Sequence, residues 1–186
     1  PDAGLRFGSY GRVIAGSAHL RDGLGFEVTD HIEEGGRLAQ ADPDLVSPRA
    51  LQRGGPQLGT LGSGNHFAEL QYVSEIYDER TASAFGLFRD QITAMIHSGS
   101  RGLGHQVCQD HLRTLVPAAR KYGIVLPDRQ LSSAPLQSPE GRAYLGAMSA
   151  AANFAFANRQ VMAHWVRESV AAALGIQLRE GVPADQ

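Results

Sequence analysis

The chain has 186 residues and a formal net charge of −2, which suits one domain with its own core and excludes a global positive field as the means of holding nucleic acid. No run approaches ~18 uninterrupted apolar residues. The opening "PDAGLRFGSYGR" lacks the charged-then-apolar pattern of a secretory signal, and the lone Cys108 suits a reducing, cytoplasmic setting, so no membrane partner is expected.

Residues 1 to 26 are glycine-rich and read as loop with short strands. "DHIEEGGRLAQADPD" predicts a short helical turn stopped at Gly35-Gly36, then a turn at Asp42-Pro43-Asp44. Ser47-Pro48 is an N-cap followed by proline at the first helical position, opening a short helix through Gln52. A glycine loop follows, then a strand from about Phe67 to Val73 and a short helix in "DERTASAFGLF".

"QITAMIH" predicts a buried strand that ends at His97, and "SGSRGLG" turns the chain into a helix from Leu103 to Tyr122. Val107, Leu112, Leu115 and Val116 trace its expected inner face; Pro117 is a place for it to kink or end early, and Gly123 is its stop. After a loop, Ser138-Pro139-Glu140 opens the longest element, about Gly141 to Leu174, closed by Gly175. Its alanine-rich, charge-poor centre predicts a helix buried on most sides. The fold class expected is mixed α/β, with strands feeding Gly-rich loops and a long buried C-terminal helix; strand order is left open.

The bend "GTLGSGNHFAEL" is the first candidate site. Glycines permit positive φ and close approach to a ligand, and successive free N–H groups form an anion-binding nest. No Gly-Lys-Ser/Thr ends the bend, so it is not a Walker loop, and a strand follows where a dinucleotide fingerprint needs a helix. Asn65 can donate and accept, and His66 can bind a divalent metal as neutral imidazole. A glycine turn with a buried, hydrogen-bonded histidine remains the alternative. In a regular strand His66 points away from residues 65, 67 and 69, so a shared site requires Asn65 and His66 to precede the strand proper.

"MIHSGSRGLGHQV" is the second candidate. Strand, loop and helix bring free N–H groups and a positive helix end together, and Arg101 adds a charged fork. Arg53, just upstream of the first bend, is a third candidate for the same anion. Basic residues here are arginine apart from Lys121, which fits either phosphate recognition or a GC-rich genome. His19, His31, His105, His111 and His164 read as structural, Cys108 as a small packing residue, and Asn153, Asn158 and Arg159 as polar groups hydrogen-bonding between helices.

These blocks resemble the RtcB-type RNA ligases. "EEGGRLAQADPDLVSPRALQRGGPQLGTLGSGNHFAEL" looks like that family's central block, "MIHSGSRGLGHQV" is similar to its second signature, and "AMSAAANFAFANRQ" to its third. The resemblance spans about residues 23 to 170. It implies an RtcB-like fold and an enzyme that uses GTP and two manganese ions to join RNA 3′-phosphate or 2′,3′-cyclic phosphate ends to 5′-hydroxyl ends through a guanylylated histidine. It implies His66 and His97 as manganese ligands, Asn65, His66 and Glu69 as nucleotide-site residues, and Arg53 and Arg101 as RNA phosphate contacts. RNA, GTP and an archease-type activator are the implied partners.

The sequence departs from the family pattern in one respect. The upstream Asp-x-x-Cys block and the downstream histidine blocks, including the guanylylated histidine, are not found. Residues 1–186 are therefore expected to form the central portion of an RtcB-like catalytic domain, inactive alone, with no catalytic nucleophile and with apolar surface exposed along residues 143 to 174 that favours self-association. A non-catalytic RNA- or nucleotide-binding module and a metal-dependent phosphoesterase are the rival readings.

Overall fold

The computed structural model describes residues 32–128 and 130–177. The expected loops and short strands of residues 1 to 26, His19, His31 and the tail beyond 177 lie outside them. Two 3₁₀ turns, Glu33–Gly36 and Pro43–Leu45, lead into helix α1, Pro48–Gly54, and a further 3₁₀ turn, Gly55–Gln57. Strand β1, Phe67–Tyr72, helix α2, Glu79–Ala84, and strand β2, Ile92–His97, come next. Helices α3, Arg101–Lys121, and α4, Pro139–Leu174, complete the described chain.

Sequence-encoded caps set the helix ends. Ser47 accepts from Ala50 N–H, Asp78 from Thr81 N–H, and Ser138 from Gly141 N–H, each satisfying a first-turn donor. At the far ends Gly123 and Gly175 take positive φ (65° and 66°). There Ile124 N–H reaches Ala119 O, and Ile176 N–H reaches Ala171 O, which is the six-to-one closure of a Schellman stop. Helix α3 runs through Pro117 to Lys121 rather than ending early.

The core lies where α1, α3 and α4 meet. Val46, Ala50, Leu103, Val107, Ala147, Ala150, Ala151, Phe154 and Ala157 form one buried cluster. Small residues set the helix spacing: at Gly54 a Cβ would stand 2.5 Å from Leu103 Cβ, so α1 and α3 approach more closely than an alanine allows. The predicted inner face of α3 is half right. Val107 and Leu115 are buried, whereas Leu112 and Val116 face solvent. The centre of α4 is buried as expected, Phe154 completely so.

β1 and β2 pair antiparallel in a two-stranded ribbon, with Phe67 opposite His97 and Glu69 opposite Met95. Here the expectation of a buried β2 is corrected: Ile92 is 70% exposed and Met95 49%. An unbroken apolar run predicts a strand covered on both faces, but among the described residues α4 touches β2 and much of the ribbon's surface stays exposed. The large exposed apolar side chains gather here, at Leu70, Tyr72, Ile92 and Met95, more than along α4, where Met148, Trp165 and Leu174 are the exposed ones.

Candidate functional site

The two glycine bends meet at one end of the ribbon. The first leaves the Gly55–Gln57 turn and enters β1; the second joins β2 to α3. Because Phe67 pairs with His97, the residue preceding β1 and the last residue of β2 are neighbours. Asn65 and His66 precede Phe67 and so sit on the bend. The rings of His66 and His97 lie 5.8 Å apart between centroids, tilted by 40°, and Phe67 stacks on His97 at 5.4 Å.

His66 is oriented by the bend itself. Its Nδ1 lies 3.0 Å from Leu61 O. A carbonyl only accepts, so Nδ1 carries a proton, and in the neutral ring the lone pair is then on Nε2, the tautomer a metal-binding imidazole needs. Ser98 Oγ donates to the same carbonyl at 2.8 Å, tying the two bends together. Gly62 has φ 106°, and a methyl group there would collide with Arg101 Nη1 and His66 Nδ1. The absent side chain is the space in which a guanidinium and an imidazole meet.

Arg101 opens α3 with φ 53°, a left-handed conformation that residues other than glycine seldom adopt. That costs about 1–2 kcal/mol. It carries Nε to Thr60 Oγ1 at 3.1 Å, across the bend that holds His66. Arg53, exposed on α1, takes another direction. Its Nη1 donates to Gln106 Oε1 at 2.8 Å and lies 3.3 Å from His105 Nδ1. Glu69 shares a ribbon face with Phe67 and His97, two residues along β1, and its carboxylate accepts from Gln71 Nε2 at 2.9 Å. Asn65 is exposed on the turn.

Part of the expected anion-binding backbone is already engaged. Gly59 N–H and Thr60 N–H both donate to Asn158 Oδ1, at 2.7 and 3.2 Å, and Gly102 N–H donates to Gln57 Oε1 at 2.8 Å. Those N–H groups hold the site's shape, and anion contact falls to the side chains and the remaining backbone of the bends.

Two further expectations are corrected. Asn153 and Asn158 reach backbone outside the helices. Asn153 Oδ1 accepts from Leu38 N–H at 2.9 Å, and Asn158 bonds both bends. Arg159, half buried, donates from Nη1 to Ser98 O at 3.1 Å, and burial lowers its guanidinium's pKa. Nothing in the sequence pattern pointed to these contacts; the one available signal was a charge-poor helix that retains two asparagines and an arginine in its apolar centre. Cys108 is exposed rather than packed, and lines an open cavity of about 330 Å³ between α3 and α4 with Ser100, Val107, Tyr144 and Met148.

As metal donors, His66 and His97 fit as part of a set. Among the described residues no group of three or more His, Cys, Asp or Glu side chains is placed to hold an ion. The pair provides two imidazoles beside a guanidinium, an arrangement suited to a cation bound together with an anionic ligand.

The chain matches the family described as tRNA-splicing ligase RtcB over residues 11–184. It is similar to proteins of that name from Thermococcus kodakarensis, 60% identical over 149 residues (80% of this chain, 31% of the relative), and from Pyrococcus furiosus, 63% identical over 140 residues (75% and 14%). The protein of that name from Methanococcus maripaludis is 61% identical over 139 residues (75% and 29%). The aligned parts thus amount to less than a third of each of these relatives. No described helix is long and apolar enough to cross a membrane.

Proposed function

This chain belongs to the tRNA-splicing ligase RtcB family, and from that premise we propose that it forms the metal- and phosphate-binding centre of an RNA ligase. The complete polypeptide would join RNA 3′-phosphate or 2′,3′-cyclic phosphate ends to 5′-hydroxyl ends, with manganese and GTP. The observation that carries the reading is the convergence of His66 and His97, 5.8 Å apart, beside the Arg101 guanidinium.

His66 and His97 would each donate an imidazole nitrogen to manganese, with further ligands supplied from outside the described residues. Manganese bound there would offset negative charge on the reacting phosphates. The chain's own contribution is placement. Leu61 O holds the His66 tautomer, and the ribbon pairing holds His97 opposite Phe67. Arg101 presents a planar fork to phosphate at the mouth of the first bend, and Thr60 fixes its angle. Asn65 would hydrogen-bond a nucleotide phosphate from the exposed turn, and Glu69 would face the nucleotide side. Arg53 would take an RNA phosphate further along α1. Aligning the reacting phosphate and neutralising its charge supply most of the barrier reduction in reactions of this type. The nucleophilic histidine that accepts the guanylyl group is assigned to a part of the protein outside this chain.

The test uses the complete polypeptide with an RNA bearing a 2′,3′-cyclic phosphate, an RNA bearing a 5′-hydroxyl, GTP and manganese. Joining that is lost in His66→Ala and His97→Ala, together with manganese binding, is the expected result. Hydrolysis of a simple phosphate ester without joining favours a phosphoesterase. Salt-dependent RNA binding unaffected by either substitution favours a binding module.

A further inference from the structure

Asn158 is fully buried near the middle of α4, surrounded by alanine, phenylalanine and methionine side chains in sequence. A buried amide with unmet hydrogen-bonding capacity costs free energy, so its partners define its purpose. Its Oδ1 accepts from Gly59 N–H and Thr60 N–H, filling both lone pairs. Its Nδ2 faces Thr60 O at 3.2 Å, Ser98 Oγ at 3.1 Å and Gly99 O at 3.1 Å. The partners fix which end is oxygen, since backbone N–H groups only donate and carbonyls only accept. One side chain therefore holds the first bend at 59–60 and the second at 98–99.

The contact continues to an imidazole. Asn158 Nδ2 donates to Ser98 Oγ, Ser98 Oγ donates to Leu61 O at 2.8 Å, and Leu61 O accepts from His66 Nδ1 at 3.0 Å. Arg159, the next residue of α4, grips Ser98 O from the other side. His97 immediately precedes Ser98, so the same relay that orients His66 also anchors the residue beside His97.

We infer that Asn158 is a positioning residue that sets the spacing of the two glycine bends, and through it the separation and tilt of His66 and His97. Its functional sense rests on the reading of those histidines as metal donors; its structural sense rests on the hydrogen bonds alone. Asparagine suits this position because it offers two acceptor sites and two N–H groups on one rigid plane. Aspartate keeps the acceptors for Gly59 and Thr60 and turns a carboxylate toward Thr60 O and Gly99 O. The first bend keeps its two N–H bonds and loses only the one at Thr60 O, whereas the second loses its donor to Ser98 Oγ and Gly99 O, so the second should loosen far more.

The experiment compares Asn158→Asp and Ser98→Ala with the parent, as complete polypeptides, and uses His66→Ala and His97→Ala as controls. Manganese(II) affinity is read from the electron paramagnetic resonance signal of free ion, and backbone amide exchange is followed separately in residues 59–61 and 97–100. Asn158→Asp should weaken manganese binding at least tenfold. It should also accelerate exchange at 97–100 at least tenfold, while the Gly59 and Thr60 N–H groups, which keep their acceptor, accelerate much less. A uniform rise across both bends would mark a merely structural role and overturn the inference. Ser98→Ala should weaken binding severalfold, and it decides the matter by the same readouts where Asn158→Asp does not fold. Parental affinity and parental exchange in a folded variant, with binding lost in the histidine controls, overturn the inference. Should the histidine controls bind manganese as the parent does, the metal reading fails, and the exchange pattern alone decides whether Asn158 sets the bends.

Discussion

Replacing Gly62 with alanine tests how tightly the first bend is built around its occupants. Gly62 has φ 106°, where a side chain costs about 1–2 kcal/mol. The new methyl group also meets Arg101 Nη1 and His66 Nδ1. Arginine's end can swing away, but the imidazole is held by Leu61 O and leaves only by breaking that bond, about 1 kcal/mol more. The total is about 2–3 kcal/mol. Gly64 is the matched control, because it too has positive φ, 77°, yet a Cβ there meets nothing within 4 Å. Gly64→Ala should incur the backbone cost alone. The difference, about 1 kcal/mol, is about fivefold in affinity for an ion that needs His66 in place. Urea unfolding gives the stability of both variants, and titration with manganese gives the affinity. Equal losses of stability and equal manganese affinities in the two variants would refute the reasoning.

Other predictions concern the helices. Pro117 lies inside α3 on an exposed position, where its ring denies the helix a hydrogen bond; Pro117→Ala should stabilise the protein by about 1–3 kcal/mol, visible as a higher melting temperature. Arg101→Gly relieves the left-handed strain but adds unfolded-state entropy, so stability should stay within about 1 kcal/mol of the parent. Its RNA binding should weaken, with the slope of log affinity against log salt falling by about 0.7. Glu140, at the start of α4, has its carboxyl pKa lowered to about 2, first by the hydrogen bond from Lys121, then by its own backbone and the Tyr122 hydroxyl. A depressed carboxyl contributes stability above its unfolded value near 4.5 and loses it as pH falls toward 2. Glu140→Gln should therefore flatten the acid limb of a stability–pH curve.

Local signals made the helices legible. Ser47, Ser138, Gly123 and Gly175 mark their ends because capping depends on a few adjacent residues. Two glycine bends, each beside a histidine, are legible in the sequence as candidate sites. The ribbon that brings their histidines together is not legible there, since strand order depends on contacts distant in sequence. The exposure of β2 is illegible for a related reason: "ITAMI" records an apolar surface, not which residues cover it. The sequence suggests another helix as the partner of Asn158, because an amide in an apolar helix announces that it needs a partner without saying where. Its partners lie 98 and 60 residues away along the chain. Arg53 looked equivalent to Arg101 by composition, yet the turn of α1 aims it at Gln106 and His105.

Diffraction from crystals of the complete polypeptide grown with manganese, recorded on both sides of the manganese absorption edge, tests the central claim most directly. The account predicts anomalous density bonded to Nε2 of His66, with His97 ligating the same ion or one adjacent to it. Manganese density located elsewhere, with both rings bonded only to protein or water, would contradict it.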